Sequence, residues 1–156
     1  MQAVWGIFMV VACLLFKIRK AHKLDSIRFF NFLKNEVDDR NLAKNIKQHI
    51  RHGVAYKLQD EKGEIKGVFL AMKYNDHISL SYYLVAKEYR RKPVSLAFFL
   101  KCFYELKSNL PIIVMKGKNY NTYKKYFKDV GDGQLLFKGL TERFNDEMKE
   151  LLKWVE

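Results

Sequence analysis

Apolar and polar positions along this chain recur with two different periods, and each change of period marks an element. From Phe16 to Ala21 apolar and basic residues alternate, the period-two pattern of a short strand. Ile27, Phe30 and Leu33 then recur at helical spacing behind Asp25 or Ser26 as cap, which predicts a helix to about Val37. Leu42, Ile46 and Ile50 share one face of a second helix expected over Asp39–His52, and Gly53 stops it. Strands are expected over Val54–Gln59 and Ile65–Tyr74, on either side of the turn Asp60-Glu61-Lys62-Gly63-Glu64. Asn75-Asp76 turns the chain into a third strand, His77–Val85. Pro93–Ser108 reads as a helix with proline in its first turn, where a missing N–H costs little. Leu110–Met115 reads as a buried strand, Asn119–Val130 as a helix stopped by Gly131, and Gln134–Lys138 as a last strand broken by Gly139. Leu140, Phe144, Met148, Leu151, Leu152 and Val155 give the end of the chain an apolar helical stripe. The predicted order is β-α-α-β-β-β-α-β-α-β-α.

Composition narrows the class. With 156 residues, 49% hydrophobic and 15% aromatic, the chain can bury one proper core, and disorder is excluded. A net charge of +12 favours acidic partners: nucleic acid, anionic lipid headgroups or phosphorylated small molecules. Cys13 and Cys102 form neither a metal spacing nor a disulfide framework, which suits a reducing compartment or thiols that stay buried. Ala3–Phe16 carries no charge, and Lys17, Arg19, Lys20 and Lys23 follow directly. A spanning helix needs about 20 apolar residues. Segment 1–16 therefore either anchors in a membrane with Lys17 snorkelling, or buries itself in the core or in a partner. No positive region precedes it, so it makes a poor secretory signal. The expected location is the cytoplasm or the cytoplasmic face of a membrane.

The run Val85-Ala86-Lys87-Glu88-Tyr89-Arg90-Arg91-Lys92-Pro93-Val94-Ser95-Leu96-Ala97 carries the most chemistry. It places a basic turn between a strand and a helix. Helix N–H groups and the helix dipole favour negative charge at such a place, so it reads either as a phosphate site or as a solvated turn.

This run, in this order of elements, resembles the GNAT superfamily of acetyl-CoA-dependent N-acetyltransferases. The family pattern is valine, any residue, then Pro-Glu-Tyr-Arg-Gly-Lys-Gly-Ile-Gly. Phe16–Asp25 resembles the family's first strand and helix start, and Asn119–Gly131 its helix near the end. The resemblance implies a single α/β domain over 17–156, with a mixed, mostly antiparallel sheet flanked by helices, to which 1–16 and a C-terminal helix over 140–156 are additions. It implies acetyl-CoA as acyl donor. Leu84, Val85 and Ala86 would pair with the pantetheine amides. Arg90, Arg91, Lys92, Val94 and Ser95 would hold the phosphates, and Asn119 would also touch the cofactor.

Three departures stand out. Arg91, Pro93 and Ser95 replace glycines that let the backbone approach the pyrophosphate, so the phosphate site is either altered or lost. The family's thiolate-protonating tyrosine falls, by spacing from Gly131, at Phe127 with Tyr126 beside it. Tyr126 is the candidate donor, with a core role for both aromatics as the alternative. The helix over 140–156 would replace the second strand of the family's closing pair and cover or remodel the acceptor site, within one chain or across a homo-oligomer.

The family's general base often comes from the central strand, which makes Glu88 and His77 candidates, against a turn carboxylate and a strand-capping histidine. His49 and His52 lie three apart with no third ligand, as exposed helix histidines do. Lys116, Lys118, Tyr120, Tyr123, Lys124, Lys125, Tyr126 and Lys128 mix base and aromatic, which suits either nucleic acid or a solvated amphipathic helix. The expected function is acetyl transfer from acetyl-CoA to an amine. The alternatives are a catalytically inactive structural or assembly protein, membrane-associated or similar to GNAT-like internal virion proteins of phages, and a basic nucleic-acid-binding module.

Overall fold

The structure is a computed structural model and describes residues 16–106, 109–117, 124–138, 146, 149 and 150. Its strands are β1 (Lys17–Lys20), β2 (Val54–Gln59), β3 (Ile65–Lys73), β4 (Ile78–Val85), β5 (Ile112–Met115), β6 (Phe127–Gly131) and β7 (Gln134–Phe137). Its helices are α1 (Ser26–Leu33), α2 (Leu42–His52) and α3 (Pro93–Leu106). The strands form one seven-stranded sheet in the order β1-β2-β3-β4-β5-β7-β6. β4 and β5 are parallel, and every other neighbouring pair is antiparallel. This is the mixed, mostly antiparallel α/β sheet expected.

Strand alternation sorts the core into two layers. From β3, Val68 and Leu70 face α1 and α2, where Phe29, Leu33, Leu42 and Ile46 cover them. Phe69 and Ala71 face α3, together with Leu58, Leu80, Phe98, Phe99, Phe103, Phe127 and Phe137. β3 is thus buried on both sides, which is why its pattern is nearly all apolar. Cys102 is fully buried, and burial pushes its thiol pKa up, so it is a packing residue without thiolate character.

Asp25 stands at the N-cap position of α1, as expected, but its side chain makes no cap bond to that helix. A short 3-10 turn, Lys23–Asp25, precedes it, capped by the ring of His22, while the Asp25 carboxylate accepts from the His22 amide at 2.8 Å. Asp25 is buried and also accepts from Lys57 Nζ at 2.7 Å and Arg28 Nη1 at 3.2 Å. Burial works to raise its pKa, but the bonds from Lys57 and the His22 amide outweigh burial and hold the carboxyl below its usual range. A carboxyl lowered on folding stabilises the fold above its unfolded pKa, about 3.9, and that contribution disappears as pH falls through the folded value. Asp25→Asn is therefore expected to cost about 2 kcal/mol at neutral pH, by analogy with other buried charge-assisted bonds. At a pH below that folded value the gap from wild type should close. Thermal melts at the two pH values check this, and an equal deficit at both would show a packing effect instead.

The second half of the chain corrects the sequence reading. The helix expected over Asn119–Val130 is absent where the structure describes it: Lys124–Tyr126 form a 3-10 turn and Phe127–Gly131 form β6. The reason lies in Asp132-Gly133. Both residues have positive φ, 53° and 70°, and they join β6 to β7 as a tight hairpin with Gly131 opposite Gln134. Such a turn matches the twist of the flanking strands. β6 and β7 therefore form an antiparallel pair beside β5. Residues 1–15, Asn119 and most of 140–156, with the readings placed on them, lie outside the described residues; Asp146, Lys149 and Glu150, which are described, are helical. Among the described residues no helix is long and apolar enough to cross a membrane, and no group of His, Cys, Asp or Glu side chains could hold a metal ion.

Candidate active site

The site begins where the sheet opens. β4 and β5 pair through Ile78 with Ile112 and Ser79 with Ile113. Past Ser79, β4 pairs with β3, whereas Val114 and Met115 of β5 pair with β7. Two parallel strands thus part at their carboxyl ends, the place where α/β sheets hold ligands. A bulge sits at the fork. Leu70 faces Tyr82 but Ala71 faces Leu80, so Ser81 is the extra residue on β4.

Register decides which backbone groups face the opening. The Ala86 amide donates to the Lys66 carbonyl at 2.8 Å, and Leu84 stands opposite Val68. Alternation therefore turns the main-chain groups of Ala86 and Leu84 towards β3, and those of Val85 and Tyr83 the other way. Of the three residues expected to meet pantetheine, Val85 has the suitable orientation. Its carbonyl already accepts from Arg90 Nε at 2.7 Å, which leaves its N–H on that side.

The basic turn follows at once. Tyr89, Arg90 and Lys92 donate their amides back to Ala86, Lys87 and Tyr89, and Ser95 donates to Lys92 at 3.0 Å. Pro93 has no N–H. The Arg91 and Val94 amides have no acceptor among the described residues. Arg91 takes the left-handed conformation, φ 60°, at a place where the resembled pattern has glycine. The turn thus keeps a glycine-like path with an arginine in it. Arg91 and Lys92 are exposed. Arg90 is committed elsewhere: one guanidinium nitrogen donates to both Glu36 oxygens, at 2.8 and 2.6 Å, and ties the turn to the loop between α1 and α2. That bond, more than the partial desolvation opposing it, holds the Glu36 carboxyl below its usual range.

The candidate catalytic residues are placed apart. Glu88 is exposed in the 3-10 turn Lys87–Tyr89, with Lys66 Nζ at 3.4 Å. Its own backbone N–H, then Lys66, lower its pKa, which makes it a weaker base. His77 lies at the opposite end of β4, bonded to Asp76 at 2.7 Å and stacked on Tyr74 at 4.8 Å. Tyr126 is buried at the start of β6, on a 3-10 turn instead of the expected helix.

A polar network the sequence reading missed lies on the α2 side of the fork. His49 was expected to be exposed and is instead 6% exposed. His52 is exposed. Helical spacing puts Asn45 and His49 on one strip of α2, facing Ser81 and Tyr82 of the bulge. His49 Nδ1 lies 2.6 Å from the Asn45 carbonyl, and Nε2 lies 2.8 Å from Ser81 Oγ. Asn45 Nδ2 donates to Asp39 at 3.0 Å and to the Tyr82 hydroxyl at 3.1 Å. Tyr82 in turn donates to Asp39. Burial first, then the Asp39 carboxylate, raises the Tyr82 pKa, and the Tyr82 bond lowers that of Asp39. The available signal was Ser81-Tyr82, a polar pair inside an apolar strand opposite a helix with Asn45 and His49 one turn apart.

This sheet order, with a bulged strand parting from its parallel neighbour ahead of a basic turn, is the fold of the GNAT acetyltransferases. Solved structures place it there. A GNAT family N-acetyltransferase from Escherichia coli, in complex with CoA, superposes with TM-score 0.59 at 12% identity, covering 80% of this chain and 81% of that one. A GNAT family acetyltransferase from Brucella melitensis, in complex with acetyl-CoA, gives 0.60 at 13%, covering 80% and 88%. One from Staphylococcus aureus gives 0.58 at 15%, covering 76% and 87%. The likeness is one of fold. No protein-family model and no curated protein matches the sequence.

Proposed function

We propose that this protein binds acetyl-coenzyme A in the opening between β4 and β5 and transfers the acetyl group to an amine. The observation that carries the reading is the parting of β4 from β5 just ahead of a turn in which Arg91 keeps a glycine-like φ of 60°. The diphosphate would meet the Arg91 and Val94 amides and the Arg91 and Lys92 side chains. The Val85 N–H would meet a pantetheine carbonyl. In the transfer, the amine nitrogen bonds to the thioester carbon and the C–S bond breaks. The leaving thiolate takes a proton from Tyr126, and the amine loses one to a base. Coenzyme A complexes of structural neighbours support the donor.

Calorimetry with acetyl-coenzyme A tests this. Micromolar binding is expected, and Arg91→Ala with Lys92→Ala should weaken it about ten- to a hundred-fold through lost charge-assisted bonds. Arg90→Ala should instead lower stability, because its guanidinium bridges Val85 and Glu36. A protein that binds no coenzyme A at millimolar concentration rules the reading out. The second reading, an assembly or membrane-surface role, would then stand on Leu24, exposed at 78% beside Lys23, Lys47 and Arg51, and on Ile27, exposed at 71%. Anionic vesicles would sediment such a protein in low salt.

A further inference from the structure

His49 and Ser81 are joined across the seam between α2 and β4, at the fork where β4 and β5 part. We propose that they form a proton-accepting dyad, with Ser81 the group that touches the acceptor and His49 the base behind it. The assignment rests on the acetyl-transfer reading for its substrate, and on geometry for everything else.

The ring's hydrogen bonds decide its tautomer. Nδ1 sits 2.6 Å from the Asn45 carbonyl, an oxygen that can accept but not donate. Nδ1 therefore carries the proton. In the neutral ring Nε2 is then an acceptor, and the hydrogen bond at 2.8 Å runs from the Ser81 hydroxyl to Nε2. The arrangement leaves the Ser81 oxygen with lone pairs to receive another proton. The ring cannot rotate away, because it is buried, fixed by the Asn45 carbonyl, and packed edge-on against Tyr82 at 5.7 Å between centroids.

Position supplies the second argument. Ser81 is the extra residue of the bulge, and it is exposed although its partner is buried. A strand without the bulge would send residue 81 to the face opposite its neighbour Tyr82. The bulge puts both on the α2 side, where Tyr82 docks on Asp39 and Ser81 reaches His49. A molecule lying in the opening passes Ser81 at the fork. The other base candidates lack this placing: Glu88 is held by Lys66, and His77 lies at the closed end of β4.

The step balances simply. As the amine nitrogen bonds to the acetyl carbon, its proton moves to Ser81 Oγ, and the Ser81 proton moves to His49 Nε2. The imidazolium keeps its Nδ1–H on Asn45. The proton returns to solvent through Ser81 once the product leaves.

Two assays separate this proposal from the reading it rests on. With acetyl-coenzyme A and spermidine, tyramine or a lysine-containing peptide, Ser81→Ala and His49→Gln are each expected to lower kcat at least about a hundred-fold, as loss of a general base does, with unchanged acetyl-coenzyme A affinity. The double variant should be no slower than either single one. Variants that keep kcat within about three-fold of wild type overturn the dyad, since a general base contributes far more. If wild type acetylates none of these amines, p-nitrophenyl acetate decides. Wild type should release nitrophenolate about ten-fold faster than Ser81→Ala, because the dyad activates the hydroxyl as a base-paired nucleophile. Equal release overturns the dyad. Failure to bind coenzyme A overturns the transfer reading alone, and the ester assay still decides the dyad.

Discussion

Phe103→Ala is expected to remove about 4 kcal/mol of stability, the usual cost of truncating a fully packed phenylalanine. Phe103 is 2% exposed on α3. Its ring meets Phe69 at 5.4 Å, Phe99 at 4.8 Å, Phe127 at 5.7 Å and Phe137 at 4.9 Å. Those partners come from both halves of the sheet: Phe69 from β3, Phe127 and Phe137 from β6 and β7. The halves are joined directly at β4 and β5 by two register pairs, so the aromatic layer beneath α3 carries much of the connection between them. Removing Phe103 opens a cavity at that connection and breaks several edge-to-face contacts at once, each worth about 1 kcal/mol. A domain of this size has a total of about 5–15 kcal/mol to lose, so urea unfolding should shift to a much lower midpoint. Acetyl-coenzyme A binding should weaken with it, because the opening is defined by how the halves sit. Leu24→Ala, at a residue 78% exposed, should change the midpoint hardly at all. A Phe103 variant as stable as the Leu24 one would mean that the connection lies elsewhere.

The first half of the chain was legible because its signals are local and agree with one another. Asp60–Glu64 carries a turn between two strand-like runs, and Val68–Met72 is continuously apolar, as a doubly buried strand must be. β2 matches the expected bounds, and β3 and β4 differ by single residues at one end. The second half misled because a helical reading of Lys124–Val130 and a strand reading fit the same few apolar residues. Short apolar runs carry little periodicity, and the deciding evidence was the turn chemistry of Asp132-Gly133. Reading Gly131 as a helix stop hid that hairpin.

The site was legible where it depends on sequence order and hidden where it depends on register. The basic turn ahead of α3 could be found from Arg90, Arg91 and Lys92 alone. Its division of labour could not: Arg90 is tied to Val85 and Glu36, and Glu36 lies far away in sequence. Leu84 and Ala86 are turned from the opening by the pairing of β3 with β4, which no composition reveals. His49 was read as exposed because it lies three residues from His52 with no third metal ligand beside the pair. Its burial follows from a bulge at Ser81 on another element, a long-range fact.

Gly53→Ala is the change expected to damage fold and site together. Gly53 closes α2, with its amide donating to the His49 carbonyl at 2.9 Å, and leads directly into β2. A methyl group there would lie 2.4 Å from the Ala71 carbonyl oxygen and 3.0 Å from that of His49. Both are backbone atoms, and neither has a flexible side chain that could yield. Either the end of α2 must lift from β3 or the sheet must bend, and strain of that kind costs about 3 kcal/mol. For a chain of this length that corresponds to a melting point lower by about 6–12 °C. The end of α2 is also the part that holds His49 against Ser81, so the same shift should lengthen that bond and reduce acetyl transfer more than acetyl-coenzyme A binding. Gly63→Ala is the comparison. Gly63 has φ 79° but nothing within reach of an added methyl, so its cost is conformational, about 1 kcal/mol, and its effect on transfer should be negligible. Thermal melts and initial rates on the two variants distinguish the cases. A Gly53 variant no worse than the Gly63 one would show that α2 can move off β3 without cost, and the tight seam that positions His49 would lose its support.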